Sequence, residues 1–434
     1  MNPHSIRILL LSLAATAGSG LAQPTPKITL TDAIARARQY GGQVTSANLG
    51  VQQAREDSLQ ARAGRLPTVN AFNQYIHTEG NGTASGVFVA NDGLHVYNEQ
   101  AQVHEDVLAI FRKGEINRAA ANEAAAKARV EIAARGINAT VIQGYYAIVS
   151  AGRKFANAQR SLREAEQFLD ITDKQEKGGE AAKSDVIKAR IQLQQRQRDL
   201  QDAQAGIEKA KIGLGVLIFP NFNANFDVED DLAAAAPAPP VDDAKAKAAA
   251  SSPELHVARS VVESAGYDVG VARYGYLPSL SIDFFYGINA NVFAAYGIRD
   301  DERRRNLGYS GQITLNIPVW NWGTTKSKIA QAELRRTQAK LDLSLAERTL
   351  QGNLAAAYAE AEAAKAQIES LKSSVDLAAE SLRLTLLRYQ AGEAVTLEVV
   401  DAQSTATQSR NAYDDGLARY RIAIANIQTL TGTL

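Results

Sequence analysis

No cysteine occurs anywhere in the 434-residue chain, which excludes disulfides, thiolate metal sites and cysteine nucleophiles and leaves burial as the source of stability. Charge of one sign is lacking too. The 47 Lys and Arg residues balance the 47 Asp and Glu residues, so no global field draws the chain to a polyanion, and nucleic acid is not an expected partner. Histidine is scarce: His4, His77, His95, His104 and His256 are scattered, and none shows metal-ligand spacing of the HExxH kind. His104-Glu105-Asp106 has no partner at i+4 and reads as a polar strand end. There is no Gly-rich phosphate loop and no nucleophile elbow, so the expectation is no enzyme, no metal and no cofactor. Beyond the N-terminal segment no apolar run reaches the roughly 20 residues that a membrane helix needs. If this chain crosses a membrane, it has to do so as closed β-structure.

What is present is mostly helix-forming. Proline (11) and aromatics (6%) are sparse, while Ala, Leu, Gln, Glu, Lys and Arg are plentiful. Residues 1–22 read as a secretory signal. Arg7 lies in the n-region, Ile8 to Ala17 form the apolar region, and Gly20-Leu21-Ala22 is a small-residue cleavage site. The apolar run is too short for a spanning anchor. Gln23 follows the cleavage site, so no thiol is there for an N-terminal lipid.

The rest is written as two copies of one plan, offset by roughly 210 residues. ARAGRLPTV (Ala61 to Val69) returns as ARYGYLPSL (Ala272 to Leu280), and KGGEAAKSDVIKAR (Lys177 to Arg190) returns as QAGEAVTLEVVDAQ (Gln390 to Gln403). The first repeat covers 23–232 and the second 244–434, with the Ala/Pro stretch 233–243 as a linker along the surface. Each repeat predicts a helix, a strand pair, a long helix, a turn and a long helix. In the first these are a helix at Leu30 to Arg65 capped near Thr31 or Asp32, strands at Val69 to Ile76 and Tyr97 to Val107 around a loop at 80–93, a helix at Lys113 to Lys177, a break at Gly178-Gly179, and a helix from Ala181 towards Leu217. In the second they are helices at Pro253 to Tyr274, Thr325 to Gln390 and Val395 to Leu430, strands at Ser279 to Asn289 and Tyr309 to Val319, and a turn at Ala391-Gly392. Helices on the order of 100 Å long cannot bury a face within one compact domain and have to pack as a bundle or tube.

The second strand pair alternates cleanly. Leu280, Ile282, Phe284, Tyr286 and Ile288 share one face, as do Ile313, Leu315, Ile317 and Val319, with amides, hydroxyls and Asp283 on the other. A barrel with lipid outside and water inside has this pattern; a hairpin on a soluble core has it as well. Trp320, Trp322 and Tyr309 fit either an interfacial belt or ordinary packing. The segment 298–305, IRDDERRR, reads as a solvated loop tip. Glu105 and Asp106 leave the register of the first pair open. About four strands are too few to close a barrel, for which at least about eight are typical, so several copies have to share one.

The paired corners Arg65-Leu66-Pro67 and Tyr276-Leu277-Pro278, the stretch IPVWNWG (Ile317 to Gly323) and RYQAGEAVTLEVVDAQ (Arg388 to Gln403) resemble the TolC-like outer-membrane factors of tripartite efflux and type I secretion systems. The resemblance implies a homotrimer in outer-membrane lipid, mainly α with a β-barrel part. Each chain would give four strands to a shared twelve-stranded barrel and its long helices to a periplasmic α-helical barrel. It implies as partners a periplasmic adaptor and an inner-membrane pump, with the adaptor meeting the tip turns at Lys177, Gly178, Gly179, Glu180 and Ala181 and at Gln390, Ala391, Gly392, Glu393 and Ala394. It puts Glu398 and Asp401 at the pore constriction, where spacing i, i+3 sets both carboxylates on one helix face; two solvated carboxylates on an exposed helix have the same spacing. It matches Tyr389 and Asp185 to a tip latch, whose Arg position holds Ala394. Lys188, standing where the second repeat has Asp401, can pair with Asp185 locally. The competing reading is a soluble periplasmic coiled-coil adaptor or scaffold, which explains the helical hairpins but not strands facing two solvents. An envelope protein that binds apolar ligands as a monomer is a third.

Overall fold

The computed structural model describes residues 27–77, 95–107, 110–221, 225–234, 237–299 and 302–434. The signal segment and the loop 80–93 lie outside the described residues. Element order is β1 (Lys27–Ile28), α1 (Leu30–Tyr40), α2 (Gly42–Ala63), β2 (Thr68–His77), β3 (His95–Asp106), α3 (Ile110–Gly178), α4 (Lys183–Ile218), β4 (Asp227–Val228), α5 (Val241–Ser251), α6 (Pro253–Tyr274), β5 (Ser279–Ala290), β6 (Tyr296–Arg299), β7 (Glu302–Arg305), β8 (Leu307–Asn316), α7 (Thr324–Gln390) and α8 (Thr396–Thr431).

The long elements lie where periodicity predicts them, and the differences have local causes. The first helix is two helices. Thr29, not Thr31 or Asp32, caps α1, its hydroxyl accepting from the Asp32 amide at 3.1 Å. The break falls at Gly41, where a Cβ would lie 2.2 Å from the Ile137 side chain and 2.5 Å from the Ala37 carbonyl, so α3 passes at a distance only glycine permits. The linker is shorter than expected because 241–243 already belong to α5, begun by Pro240 and two first-turn aspartates. The tip at 298–305 carries the small hairpin β6–β7, with Tyr296 opposite Arg305 and Arg299 opposite Glu302; the four residues of β7 are exposed.

Both helix-to-strand corners are built alike. Leu66 N–H donates to Ala63 O and Leu277 N–H to Tyr274 O, each one residue before a proline, which cannot continue a helix. The four long strands form one antiparallel sheet in the order β2-β3-β5-β8. Register gives it two different faces. One carries Val69, Ala71 and Tyr75, then Val103 and Tyr97, then Ile282, Phe284 and Tyr286, then Leu315, Ile313 and Tyr309. The other carries Asn70 and Gln74, Gln102 and His104, Ser281 and Asp283, Thr314 and Gln312, interrupted by Phe72, Ile76, Val96 and Phe285. Glu105 shares the apolar face with Ile282, whereas Asp106 lies on the polar face opposite Ser281 and pairs with Arg112 at 2.8 Å. No described element covers the apolar face: Val69 and Ile313 are each 71% exposed and Tyr309 78%. Trp320 and Trp322, just past β8, are exposed as well, with ring centroids 5.8 Å apart.

Where α3, α1, α4 and α8 meet, one core gathers Ile28, Ile34, Val141, Ile142, Tyr145, Tyr146, Leu214, Ile218 and Phe226. A second joins α5, α7 and α8 through Leu354, Tyr358, Ile424 and Ile427, and Tyr358 donates to Pro239 O at 2.7 Å. Beyond these cores the helices run as two hairpins, α3–α4 and α7–α8. They leave Ile187 and Ile191 of α4, and Leu334, Leu341, Leu377, Leu384 and Leu387 of α7, exposed. Those spacings of 3, 4 and 7 place apolar residues along single helix faces that no described element of the chain covers.

Candidate functional site

The ends of the two hairpins repeat one geometry. At the first, Gly179 has φ +82°; its N–H donates to Glu176 O at 2.9 Å and the Glu180 N–H to Gln175 O at 2.8 Å. At the second, Gly392 has φ +78°, with Gly392 N–H on Tyr389 O at 3.1 Å and Glu393 N–H on Arg388 O at 2.8 Å. Each is a left-handed glycine stop with two reversed hydrogen bonds. The shared glycine of GGE and AGE is therefore a structural requirement, since it supplies the positive φ, whereas the glutamate after it contributes a backbone amide that any residue but proline would supply. The turn residues Lys177, Gly178, Gly179 and Glu180, and likewise Gln390, Ala391, Gly392 and Glu393, lie on the surface, whereas Ala181 and Ala394 are half-buried.

Tyr389 reaches back from the second turn into the first hairpin. Its ring packs with Phe168, Ala189 and Val399, 5.1 Å from the Phe168 ring and edge-on. Its hydroxyl donates to Thr172 Oγ1 at 3.2 Å and accepts from Thr396 Oγ1 at 3.5 Å, both buried, and its carbonyl accepts from Gln175 Nε2 at 3.2 Å. Tyr389 and Asp185 are not brought together within the chain. Asp185 instead accepts from Lys188 Nζ at 3.1 Å, one turn along α4.

Asp185 and Glu398 occupy equivalent places, three residues past the caps Ala182 and Val395. The Glu398 carboxylate accepts from the Val395 N–H at 3.3 Å and from Arg388 Nη1 at 3.3 Å. Arg388 also donates to Glu393 O at 3.0 Å, so one guanidinium clips the last turn of α7 to the loop and to the first turn of α8. Asp401, one turn further on, is exposed. The two carboxylates thus differ in setting: Glu398 caps a helix and has a counter-ion beside it, and Asp401 faces solvent on the same side of the helix.

Sequence reasoning missed the seam that holds the hairpins together. Along α3, Arg153, Asn157, Ser161, Glu164, Phe168, Thr172 and Gln175 recur every three or four residues and meet α8 and the end of α7. Arg153 donates to Asp414 at 3.0 Å, and by two nitrogens to Asp230 at 2.7 and 2.9 Å. Asn157 donates to Asn411 and Asp414, each at 2.9 Å. Thr407 donates to Ser161 at 3.1 Å, Gln403 to the Glu164 carbonyl at 3.2 Å and Arg410 to the Glu164 carboxylate at 3.0 Å. Ser161, Thr172, Gln403, Arg410 and Asp414 are all buried. The available signal was the period itself, carried by polar residues. Asp230 is also shifted: burial pushes its carboxyl up, but the hydrogen bond from Arg153, that from the Leu232 amide and the guanidinium charge hold it below the usual carboxylate range.

Among the described residues no group of three or more His, Asp and Glu side chains is arranged to hold a metal ion, and no helix is long and apolar enough to cross a membrane. A cavity of about 850 Å³, lined by Lys245, Arg259, Glu347, Leu354 and Tyr358 among others, lies between α5, α6 and α7, away from the tips.

With this geometry in hand, comparison with known proteins is specific. Residues 246–433 match the family of outer membrane efflux proteins. The cobalt-zinc-cadmium resistance protein CzcC of Cupriavidus metallidurans is 26% identical over 74% of this chain and 73% of its own length. Outer membrane protein OprJ of Pseudomonas aeruginosa is 23% identical over 71% of this chain and 62% of its own length. In fold, the Campylobacter jejuni CmeC outer membrane channel superposes with a TM-score of 0.80 at 15% identity, covering 100% of this chain and 94% of that one. The match to the outer membrane efflux protein family thus covers residues 246–433, and the likeness to CmeC shows a shared fold.

Proposed function

We propose that the chain is one of three identical subunits of an outer-membrane exit duct, serving a tripartite efflux pump or a type I secretion system and passing substrates from an inner-membrane transporter through the periplasm to the exterior. It is a conduit and not an enzyme. The observation that carries this reading is the four-stranded sheet. It has an uncovered apolar face, an opposite polar face, and outer strands β2 and β8 that each pair on one side only. A sheet with lipid-type and water-type faces and two open edges is stable only when closed, and three such sheets make twelve strands. The exposed apolar stripes of α4 and α7 support the same assembly, as surfaces for neighbouring hairpins.

On this reading α3–α4 and α7–α8 form the helical barrel, the turns 177–181 and 390–394 meet a periplasmic adaptor, and Glu398 with Asp401 lines the inner entrance. The parallel order of elements, corners and glycine turns in residues 23–232 and 244–434 supports an internal duplication. Closure of the tip rests on Tyr389 with Thr172 and Thr396, a set of hydroxyls, in place of a Tyr389–Asp185 contact. A secretory signal at 1–22 would deliver the chain to the envelope.

The test uses the natural lack of cysteine. Single cysteines placed along β2 and β8 should cross-link between chains and not within one, and membrane extracts should yield a heat-resistant trimer only with detergent. A monodisperse, detergent-free monomer that forms no β2–β8 link would overturn the proposal and favour a soluble scaffold.

A further inference from the structure

We propose that His77 and His95, assisted by Tyr75, form a binding site for a borderline transition-metal dication of the Zn²⁺, Cu²⁺, Ni²⁺ or Co²⁺ type at the end of the β2–β3 hairpin furthest from the helices. The two histidines are 18 residues apart in sequence, and register sets them directly opposite one another as the last cross-strand pair of the ladder. Both imidazoles are exposed on the face that carries Tyr75 and Tyr97. Their Nδ1 atoms are 3.4 Å apart, and the ring centroids are 4.9 Å apart with planes tilted by 30°.

That separation is informative. Two nitrogens 3.4 Å apart, each about 2.05 Å from one metal ion, subtend about 112° at the metal, close to the tetrahedral angle. The Tyr75 hydroxyl lies 2.7 Å from His95 Nδ1, next to the same point, where it can serve as a third oxygen donor or hold a metal-bound water. Without a metal, and with a proton on His77 Nδ1, the arrangement has two donors for one acceptor. One proton can be shared between the two Nδ1 atoms, and the Tyr75 hydroxyl then competes for the one lone pair of His95 Nδ1. A dication takes both imidazole lone pairs at once and leaves the phenol a role beside it.

Neighbouring contacts hold the rings in place. Tyr75 stacks on His95 with ring centroids 6.0 Å apart and packs against Tyr97 at 5.0 Å. Two imidazoles with a phenol suit borderline metals and not Mg²⁺ or Ca²⁺, which prefer oxygen ligands. With only two protein nitrogens, water fills the remaining positions and the ion exchanges readily. Both ligands come from one chain, so the site does not depend on the proposed assembly.

The experiment titrates Zn²⁺ and Cu²⁺ into the full chain, purified in detergent. Calorimetry should show one saturable site per chain, and electron paramagnetic resonance of bound Cu²⁺ should show coupling to two imidazole nitrogens. His77→Asn and His95→Asn should each abolish the saturable site, Tyr75→Phe should weaken it by about 10-fold, and His256→Asn should leave it unchanged. For the unaltered chain, Zn²⁺ should protect His77 and His95, and not His256, from acylation by diethylpyrocarbonate read by mass spectrometry. This arm stands even if a variant fails to fold. Absence of a saturable site in the native chain, a one-nitrogen spectrum, or protection that ignores His77 and His95 would each overturn the assignment.

Discussion

For the proposed trimeric duct, replacing Arg388 by Gln separates the charge role of this residue from its structural role. The guanidinium lies 3.3 Å from Glu398, with side chains 53% and 45% exposed. A pair so open to water contributes less than about 1 kcal/mol, so the fold should survive its loss. The charge balance should not. Arg388, Glu398 and Asp401 together carry one net negative charge per chain, and the variant carries two, so a trimer goes from three to six. At about 8 Å in water one extra charge changes the energy of a passing monovalent ion by about 0.5 kcal/mol. Three of them, reduced by screening with a Debye length of about 10 Å at 0.1 M salt, leave about 0.7 kcal/mol. Cations gain what anions lose, about 1.4 kcal/mol between them, so the cation-to-anion permeability ratio should rise about tenfold. The assay is the reversal potential of single channels in a planar bilayer under a salt gradient, with trimer migration as the folding control. An unchanged reversal potential in an intact trimer would refute the placement of Arg388, Glu398 and Asp401 at the constriction.

Glu398→Ala combined with Asp401→Ala should lower cation preference and relieve block by divalent cations in the same recordings; unchanged block would remove both residues from the pore. Arg153→Ala should destabilise by about 3 kcal/mol, because it strands the Asp414 carboxylate, 12% exposed, without its cation; a loss within 0.5 kcal/mol of zero, the range of ordinary surface changes, would contradict the seam. Gly392→Ala should cost about 1–2 kcal/mol for a left-handed alanine, read as a lower melting temperature of the helical signal, whereas Gly152→Ala, mid-helix and with open space at its Cβ, should be neutral or stabilising. The Asp230 carboxyl is held below its usual range, so its contribution is present above the unfolded-state value and is lost as pH falls through the lower folded-state value. The stability gap between the native chain and Asp230→Asn should therefore narrow on acidification below about pH 4, and a gap that widens there would reverse the sign.

Much of this fold is legible in the sequence because it depends on local signals. Gly179 and Gly392 stop their helices through a left-handed turn that depends on local backbone alone, the prolines at 67 and 278 end the corners, and the alternation from Leu280 to Ile288 needs no partner to be read. The break at Gly41 is not local: it depends on Ile137, nearly a hundred residues away, pressing on a site with no Cβ. The start of α5 was within reach, since a proline followed by two aspartates is a helix beginning, but the proline-rich composition before it reads as linker. His77 and His95 are 18 residues apart in sequence and become neighbours only once β2 and β3 are paired in register.

The α3–α8 seam shows why a site can be regular and still escape notice. Its residues repeat with helical period, from Arg153 to Gln175, over about 33 Å of helix, yet all but Phe168 are polar, and a periodic polar stripe is normally read as the solvent side. Here it is an interior. Apolar residues in those positions would hold the two hairpins together with little preference for register, because apolar contact is non-directional. Arg410 on Glu164, Gln403 on the Glu164 carbonyl and Asn157 on Asp414 each fit in one alignment only. A seam made of such contacts fixes how far one glycine turn projects beyond the other, and with it the height at which Tyr389 meets Thr172. Shifting α8 by one turn against α3 would bury Arg410 and Asp414 without partners, a cost of several kcal/mol. The seam therefore resists sliding of one hairpin along the other.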